Sequence, residues 1–334
     1  MFNCPHRLTP PVETPFGPLD WARFILGAAV LAYAARSDVL TRRVNDRCWW
    51  AFLAAGLVLL EVQLLRSGEG PLFLLAPFYI LVFFVTLWYE GEVMGDRVRR
   101  RDSLVVAAAL NAGALAVLGA QIATGPLDAF HRGGEGFRHF QLVSVPLMML
   151  VAYMLYRAQL LSGGADAKAF LSMAVLVPFF PDPLAGAFSQ DPLLSPPGVF
   201  LVICPFVLAV FFNAAFLSLL NPVAMFLWNL SRGDRGRLMA FAYKVPISGA
   251  RRKRFIWLSE CYVDGRRTLL YFRFRGQTGG WKRRQLDRFE RDGQERVWVQ
   301  PQIPFMVQLC AGFVFTFVLG NVILFWLVRL FAGA

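Results

Sequence analysis

Two aspartates stand at the edges of apolar runs, where an ionisable side chain is costly and points first to function. Asp38 closes one run in Ala35-Arg36-Ser37-Asp38, and Asp166 opens another in Gly163-Gly164-Ala165-Asp166-Ala167-Lys168. Two carboxyls that approach within a few ångströms cannot both ionise, so one is left charged and the other protonated. Such a pair can activate a water with one member and polarise a peptide carbonyl with the other. Gly163 and Gly164, just before Asp166, would let the backbone leave helical geometry and let a substrate strand come close. Taken singly, each aspartate has a plainer reading: Asp38 as a solvated helix end, Asp166 as an acid favoured by a helix N-terminus.

The elements that must position this pair are membrane helices. Of 334 residues, 57% are hydrophobic and 17% charged. A soluble chain of that composition could not hide its apolar surface, and several uncharged windows are long enough to cross a bilayer. The expected spans are Trp21–Arg36, Trp49–Leu65, Pro71–Tyr89, Ser103–Ile122, Leu142–Leu161, Ala167–Phe180, Val199–Leu220 and Phe305–Phe331. The chain past Val199–Leu220 should kink near Pro222 and continue as an interfacial tail. The fold class is thus an α-helical polytopic membrane protein of about eight transmembrane helices, with a small cytosolic α+β domain before the last helix.

Basic residues alternate between loops. Arg42, Arg43 and Arg47 follow the first span, Arg97 and Arg99–Arg101 the third, and Arg157 and Lys168 flank the junction before the sixth. By the positive-inside rule the N-terminus lies outside and these loops are cytoplasmic. The spans between the two aspartates are even in number, so both face the cytoplasmic side. The N-terminal stretch lacks the pattern of a removable signal peptide.

One polar stretch interrupts this pattern. Ser231–Gln300 holds 18 Lys and Arg against 7 Asp and Glu, a net of +11 (18 − 7). Strand-rich segments flank Asp264-Gly265, a hairpin signal, and Trp281–Asp292 reads as an amphipathic helix ending at Gly293. Val297–Val299 reads as a strand before Pro301. The expected domains are 1–230 (membrane core), 231–300 (basic cytosolic α+β) and 301–334 (a final transmembrane helix). Interleaved Arg and aromatics at Tyr271–Arg275 raise the question of nucleic acid, but attraction of a basic domain to an anionic leaflet explains the charge more simply. No nucleic-acid partner is expected; the lipid bilayer is.

The cysteines are scattered, without a Cys-x-x-Cys, and His131 and His139 have no cysteine beside them, so neither a zinc site nor a disulfide framework is expected. Gly133-Gly134-Glu135-Gly136 has no Lys-Ser/Thr after it and reads as an external turn. Lys168 is an interfacial anchor, or else holds Asp166 ionised. Asp46 balances Arg42, Arg43 or Arg47. Asp96, after Gly95, rivals Asp166 as the second carboxylate, but the run Arg97–Arg101 behind it reads as a solvated loop.

The string Gly163-Gly164-Ala165-Asp166-Ala167-Lys168 resembles the G-x-G-D motif of archaeal type IV prepilin and preflagellin peptidases. Ser37-Asp38-Val39-Leu40-Thr41-Arg42-Arg43-Val44 resembles the first aspartate segment of that family. Val297–Phe305 with Gly312 resembles its segment re-entering the membrane, and Tyr243-Lys244-Val245-Pro246 the start of its cytosolic part. Three departures stand out. Asn45 replaces a proline, Ala165 replaces the motif's second glycine, and an added helix pair separates the aspartates. The resemblance implies an intramembrane aspartic endopeptidase that cuts the short leader from type IV prepilin-like or prearchaellin substrates at the cytoplasmic face. Catalysis would fall to Asp38 and Asp166, supported by Gly163, Gly164, Ala165 and Lys168, with no metal and no cofactor. The alternative is an ion- or proton-coupled transporter that uses Asp38 and Asp166 as coupling sites.

Overall fold

Apolar backbone must bond to itself where water is excluded, so the apolar runs of the sequence become helices. In the computed structural model, the structure describes residues 17–92, 101–125, 135–158, 163–181, 204–271, 277–323, 326 and 330. It divides into two units, Met1–Ala215 with Phe305–Ala334, and Phe216–Pro304.

The first unit holds α1 (Pro18–Thr41), α2 (Asp46–Ser67), α3 (Ala76–Glu92), α4 (Arg101–Thr124), α5 (Glu135–Arg157), α6 (Gly164–Leu176), most of α7 (Phe206–Ser218) and α11 (Phe305–Leu319). Five helical stretches are long and apolar enough to cross a bilayer: Pro18–Thr41, Asp46–Ser67, Val106–Thr124, Gly136–Arg157 and Phe206–Ser231. Two shorter apolar helices, Phe73–Trp88 and Phe305–Leu319, accompany them. The chain is a multi-pass membrane protein.

The short sixth segment is the innermost. From Ala169 to Leu176 every residue of α6 is buried, and the helix packs against α2 and α5. A Cβ at Gly56 of α2 would lie 3.0 Å from the Leu176 backbone, so this glycine lets the two helices touch. The helix starts at Gly164 rather than Ala167 and stops at Leu176, because Val177 precedes Pro178 and is pushed out of helical geometry.

The final expected span, Phe305–Phe331, is interrupted. Its first helix ends at Leu319, Gly320 takes a left-handed conformation at φ +75°, and Val322, Ile323, Trp326 and Leu330 are helical again. Gly312 of this helix lies against α7, where an added Cβ would fall 2.7 Å from the Val210 carbonyl oxygen. Beside it, Asn213 Nδ2 donates to Thr316 Oγ1 at 2.8 Å and to the Gly320 carbonyl at 3.1 Å. Asn111 bridges α4 to Thr86 of α3 at 3.0 Å.

The second unit contains α8 (Leu220–Ser231), β1 (Tyr243–Pro246), α9 (Ile247–Arg252), β2 (Ile256–Leu258), β3 (Glu260–Val263), β4 (Arg266–Leu269), α10 (Gly279–Arg291) and β5 (Arg296–Pro301). The helical path breaks at Leu219, which leaves Pro222 in the first turn of α8, where its missing N–H costs nothing. The strands β1-β5-β2 form an antiparallel sheet, and β3-β4 a hairpin. Asp264 (φ 49°) and Gly265 (φ 77°) supply the two positive angles that a tight hairpin turn requires. Leu286 and Phe289 of α10 bury against Val245, Ile256, Val297 and Val299.

Two glutamine side chains finish the strands. Gln277 accepts the Leu258 N–H at 3.0 Å and donates to its carbonyl at 2.9 Å. Gln285 makes the same pair with Tyr262, at 2.8 and 3.3 Å. An ion pair from exposed Arg296 to buried Asp234, at 2.8 and 2.9 Å, ties β5 to the turn after α8.

Candidate active site

Asp38 lies in the last turn of α1, which ends because Arg42 enters the left-handed region and donates its N–H to the Asp38 carbonyl at 3.0 Å. Two hydroxyls hold the turn that follows. Ser37 Oγ donates to the Arg43 carbonyl at 2.7 Å, and Thr41 Oγ1 reaches the Ser37 carbonyl at 2.8 Å. Asn45, where the resemblance leads one to expect proline, caps α2 by accepting the Arg47 N–H at 3.0 Å. The Asp38 side chain is partly exposed, and the Arg42 guanidinium is within electrostatic reach of it.

Asp166 stands three residues after the helix cap Gly163 and is only 6% exposed. Its carboxylate turns back over the helix start, where the Gly163 backbone N–H acts on it electrostatically. Gly163 has an ordinary extended backbone, φ −114° and ψ 133°, so conformational freedom is not what the position needs. What it needs is room: a Cβ there would fall 2.6 Å from Asp166 Oδ2. Gly164 is different, since a Cβ there would meet nothing nearer than Tyr156 Oη at 4.0 Å. Ala165 is partly buried against the core.

The Asp38 carboxylate lies near enough to Asp166 for its charge to act on it. Two carboxyls from two helix ends, one buried and one partly exposed, are thus within electrostatic range on the contacting helices α1 and α6. Around them, two expectations are corrected. Among the described residues Asp46, at the start of α2, pairs with Lys168 Nζ at 2.7 Å and not with a neighbouring arginine. Lys168 therefore links α6 to α2, and its ammonium also sits 4.1 Å above the Trp88 ring. This strut escaped the sequence reading, although the matching charges at two helix starts on one side were a usable signal.

The face of α6 carrying Gly164, Ala167, Lys168 and Leu171 is turned away from Asp166. With Leu87, Trp88, Tyr153 and Tyr156 it lines an open pocket of about 150 Å³.

Gly95, Asp96 and His131 lie outside the described residues, as do Gly133 and Gly134. Glu135 and Gly136 open α5 instead of forming a turn. At the other end of α2 from Asp46, His139 Nε2 meets Glu69 Oε2 at 2.6 Å, and its ring stacks on Phe73. That pairing was also missed, because Glu69 and His139 are distant in sequence. Among the described residues no group of three or more His, Cys, Asp or Glu could hold a metal ion.

Residues 235–322 match the family described as "Archaeal Peptidase A24 C-terminus Type II". That stretch includes Tyr243–Pro246, Val297–Phe305 and Gly312. The chain is also similar to the preflagellin peptidase of Methanocaldococcus jannaschii, at 24% identity over 48% of this chain and 64% of the relative. It is similar to the preflagellin peptidase of Methanococcus voltae at 26% identity, over 48% of this chain and 65% of that relative. The match thus spans somewhat less than two thirds of each curated relative. Through residues 235–322 the chain carries the C-terminal domain of archaeal A24 peptidases, and it is a distant homologue of the preflagellin peptidases.

Proposed function

We propose that this protein is a membrane aspartic endopeptidase that removes the short leader from prepilin-like or prearchaellin substrates, with Asp38 and Asp166 as its catalytic pair. The observation that carries the reading is the approach of these two carboxyls from the end of α1 and the start of α6. It is supported by the likeness to preflagellin peptidases, whose name supplies the substrate class.

In this reading the pair shares one proton. The ionised member takes a proton from a water, whose oxygen attacks the scissile carbonyl carbon. The protonated member gives its proton to the carbonyl oxygen, forming a tetrahedral diol. Collapse of the diol breaks the C–N bond; the leaving amine takes up a proton, and the pair returns to its single-proton state. Gly163 supports this chemistry by leaving room for the Asp166 carboxylate, and Lys168 by bracing α6 against α2. We further place the basic loops, the pair and the second unit on the cytoplasmic side, with α3, α6 and α11 completing about eight crossings.

The test is cleavage of a prepilin-like substrate in membranes carrying the wild type, Asp38→Asn, Asp166→Asn or Asp96→Asn. Either dyad substitution should lower turnover by a factor on the order of 10⁴, with Asp96→Asn near wild type. Retained cleavage in both dyad variants would sink the assignment.

A further inference from the structure

The second unit contains two adjoining concavities of different chemistry. The first, of about 490 Å³, is lined by six cationic side chains: Arg251, Arg252, Lys253, Arg254, Lys282 and Arg283. Among the described residues no carboxylate lines it. Arg251 is occupied by Asp287 and Glu290, at 2.6 and 2.7 Å. Arg252, Arg254 and Arg283 are exposed and make no ion pair among the described residues. Lys282 is part-buried and donates to the Lys253 carbonyl at 2.9 Å. Burial lowers its ammonium below the ordinary lysine value, a penalty that a bound anion would offset.

The second concavity, of about 520 Å³, runs along α8 and is lined by Ala224, Met225, Trp228, Pro301 and Ile303, with Arg232 and Lys253 at its polar margin. Lys253 borders both spaces. Its ammonium donates to the Tyr243 hydroxyl at 3.1 Å and lies 4.8 Å from the centre of that ring. The outer face of α8 is apolar and exposed at Leu220, Val223, Phe226, Leu227 and Leu230. The chain enters this unit from the membrane-crossing stretch Phe206–Ser231.

A pocket for a phosphate-bearing head that opens, at one lysine, into an apolar groove along a membrane-derived helix has the shape of an amphiphile. We propose that the second unit holds an anionic phospholipid, its head among Arg252, Arg254, Lys282 and Arg283 and its chain along Ala224, Met225 and Ile303. Charge selects the head: uncompensated cations with no facing carboxylate favour an anionic lipid over a zwitterionic one. The groove distinguishes a lipid from a soluble phosphate ester. The site shares no residue with the Asp38 and Asp166 pair, so the proposal does not depend on the peptidase reading.

Native mass spectrometry of the full-length protein in detergent tests it, with equal amounts of dioleoyl phosphatidylglycerol and dioleoyl phosphatidylcholine. Retention of phosphatidylglycerol over phosphatidylcholine by about tenfold or more is expected. Each basic residue near an anionic head is worth roughly fivefold in affinity. The triple variant Arg252→Ala, Arg254→Ala, Arg283→Ala should therefore lose on the order of 100-fold. All three residues are exposed, so the fold should survive. Ala224→Trp, also at an exposed position, fills the groove and should weaken lipid retention while leaving glycerol phosphate binding unchanged. Equal retention of the two lipids, or a triple variant that keeps its preference, overturns the proposal. So does glycerol phosphate or a short oligonucleotide binding as tightly as phosphatidylglycerol, which would assign the basic cavity to a soluble anion or to nucleic acid.

Discussion

The two halves of the carboxyl pair are built differently. Asp166 is buried, its carboxylate folded over its own helix start against Gly163. Asp38 is partly exposed at a helix end, and what is fixed around it is the backbone, through the Ser37 and Thr41 hydroxyls. One carboxyl is held as a side chain, the other through the turn that carries it. The contrast teaches that a pair can be assembled from one rigid and one adjustable member.

The sharpest way to break that contrast is at Gly163. Gly163→Ala places a methyl where the Asp166 carboxylate now lies, and a displacement of about 1 Å should cost on the order of 100-fold in turnover. Substrate cleavage rates in membranes, with protein amounts matched by immunoblot, give the measurement. The next comparison lengthens each acid in turn. Asp166→Glu must force a methylene into packed surroundings, whereas Asp38→Glu has solvent to extend into. Asp38→Glu should therefore retain about tenfold more activity than Asp166→Glu. If the two variants lose activity equally, the rigid and adjustable halves are not distinct.

A smaller effect is expected at the strut. Lys168 is 19% exposed and Asp46 50%, so solvent screens their attraction. Asp46→Asn or Lys168→Met should lower activity by up to about fivefold. A double-mutant cycle should return a coupling of the same size, and strict additivity would remove the strut from the account. Least affected should be Gly164→Ala, within about twofold of wild type, because the added methyl meets open space. A loss as large as that at Gly163 would mean that the glycines serve substrate approach, not room for the carboxylate.

Much of this could be read in the sequence, for identifiable reasons. Apolar length exposed the membrane class. Asp264-Gly265 marked the hairpin because its turn needs two positive φ angles, a demand few residues meet. The helix Gly279–Arg291 was visible through its periodicity and the glycine behind it. What stayed hidden is set through space. The reason for Gly163 lies in a carboxylate three residues on, and Lys168 meets Asp46 only once α2 and α6 are packed. The break after Leu319 was missed because the residues beyond Gly320 are as apolar as those before it and helical again, so hydropathy could not register the left-handed turn.

Gln277 and Gln285 have a consequence for life in a crowded membrane plane. A strand edge with free donors and acceptors invites a second chain to add to it, and many copies held in one leaflet meet often. At Leu258 and Tyr262 those groups are already spent on amide side chains that copy a neighbouring strand. Because a side chain cannot extend the ladder, each amide is a terminus that resists edge-to-edge aggregation without adding a strand to the fold.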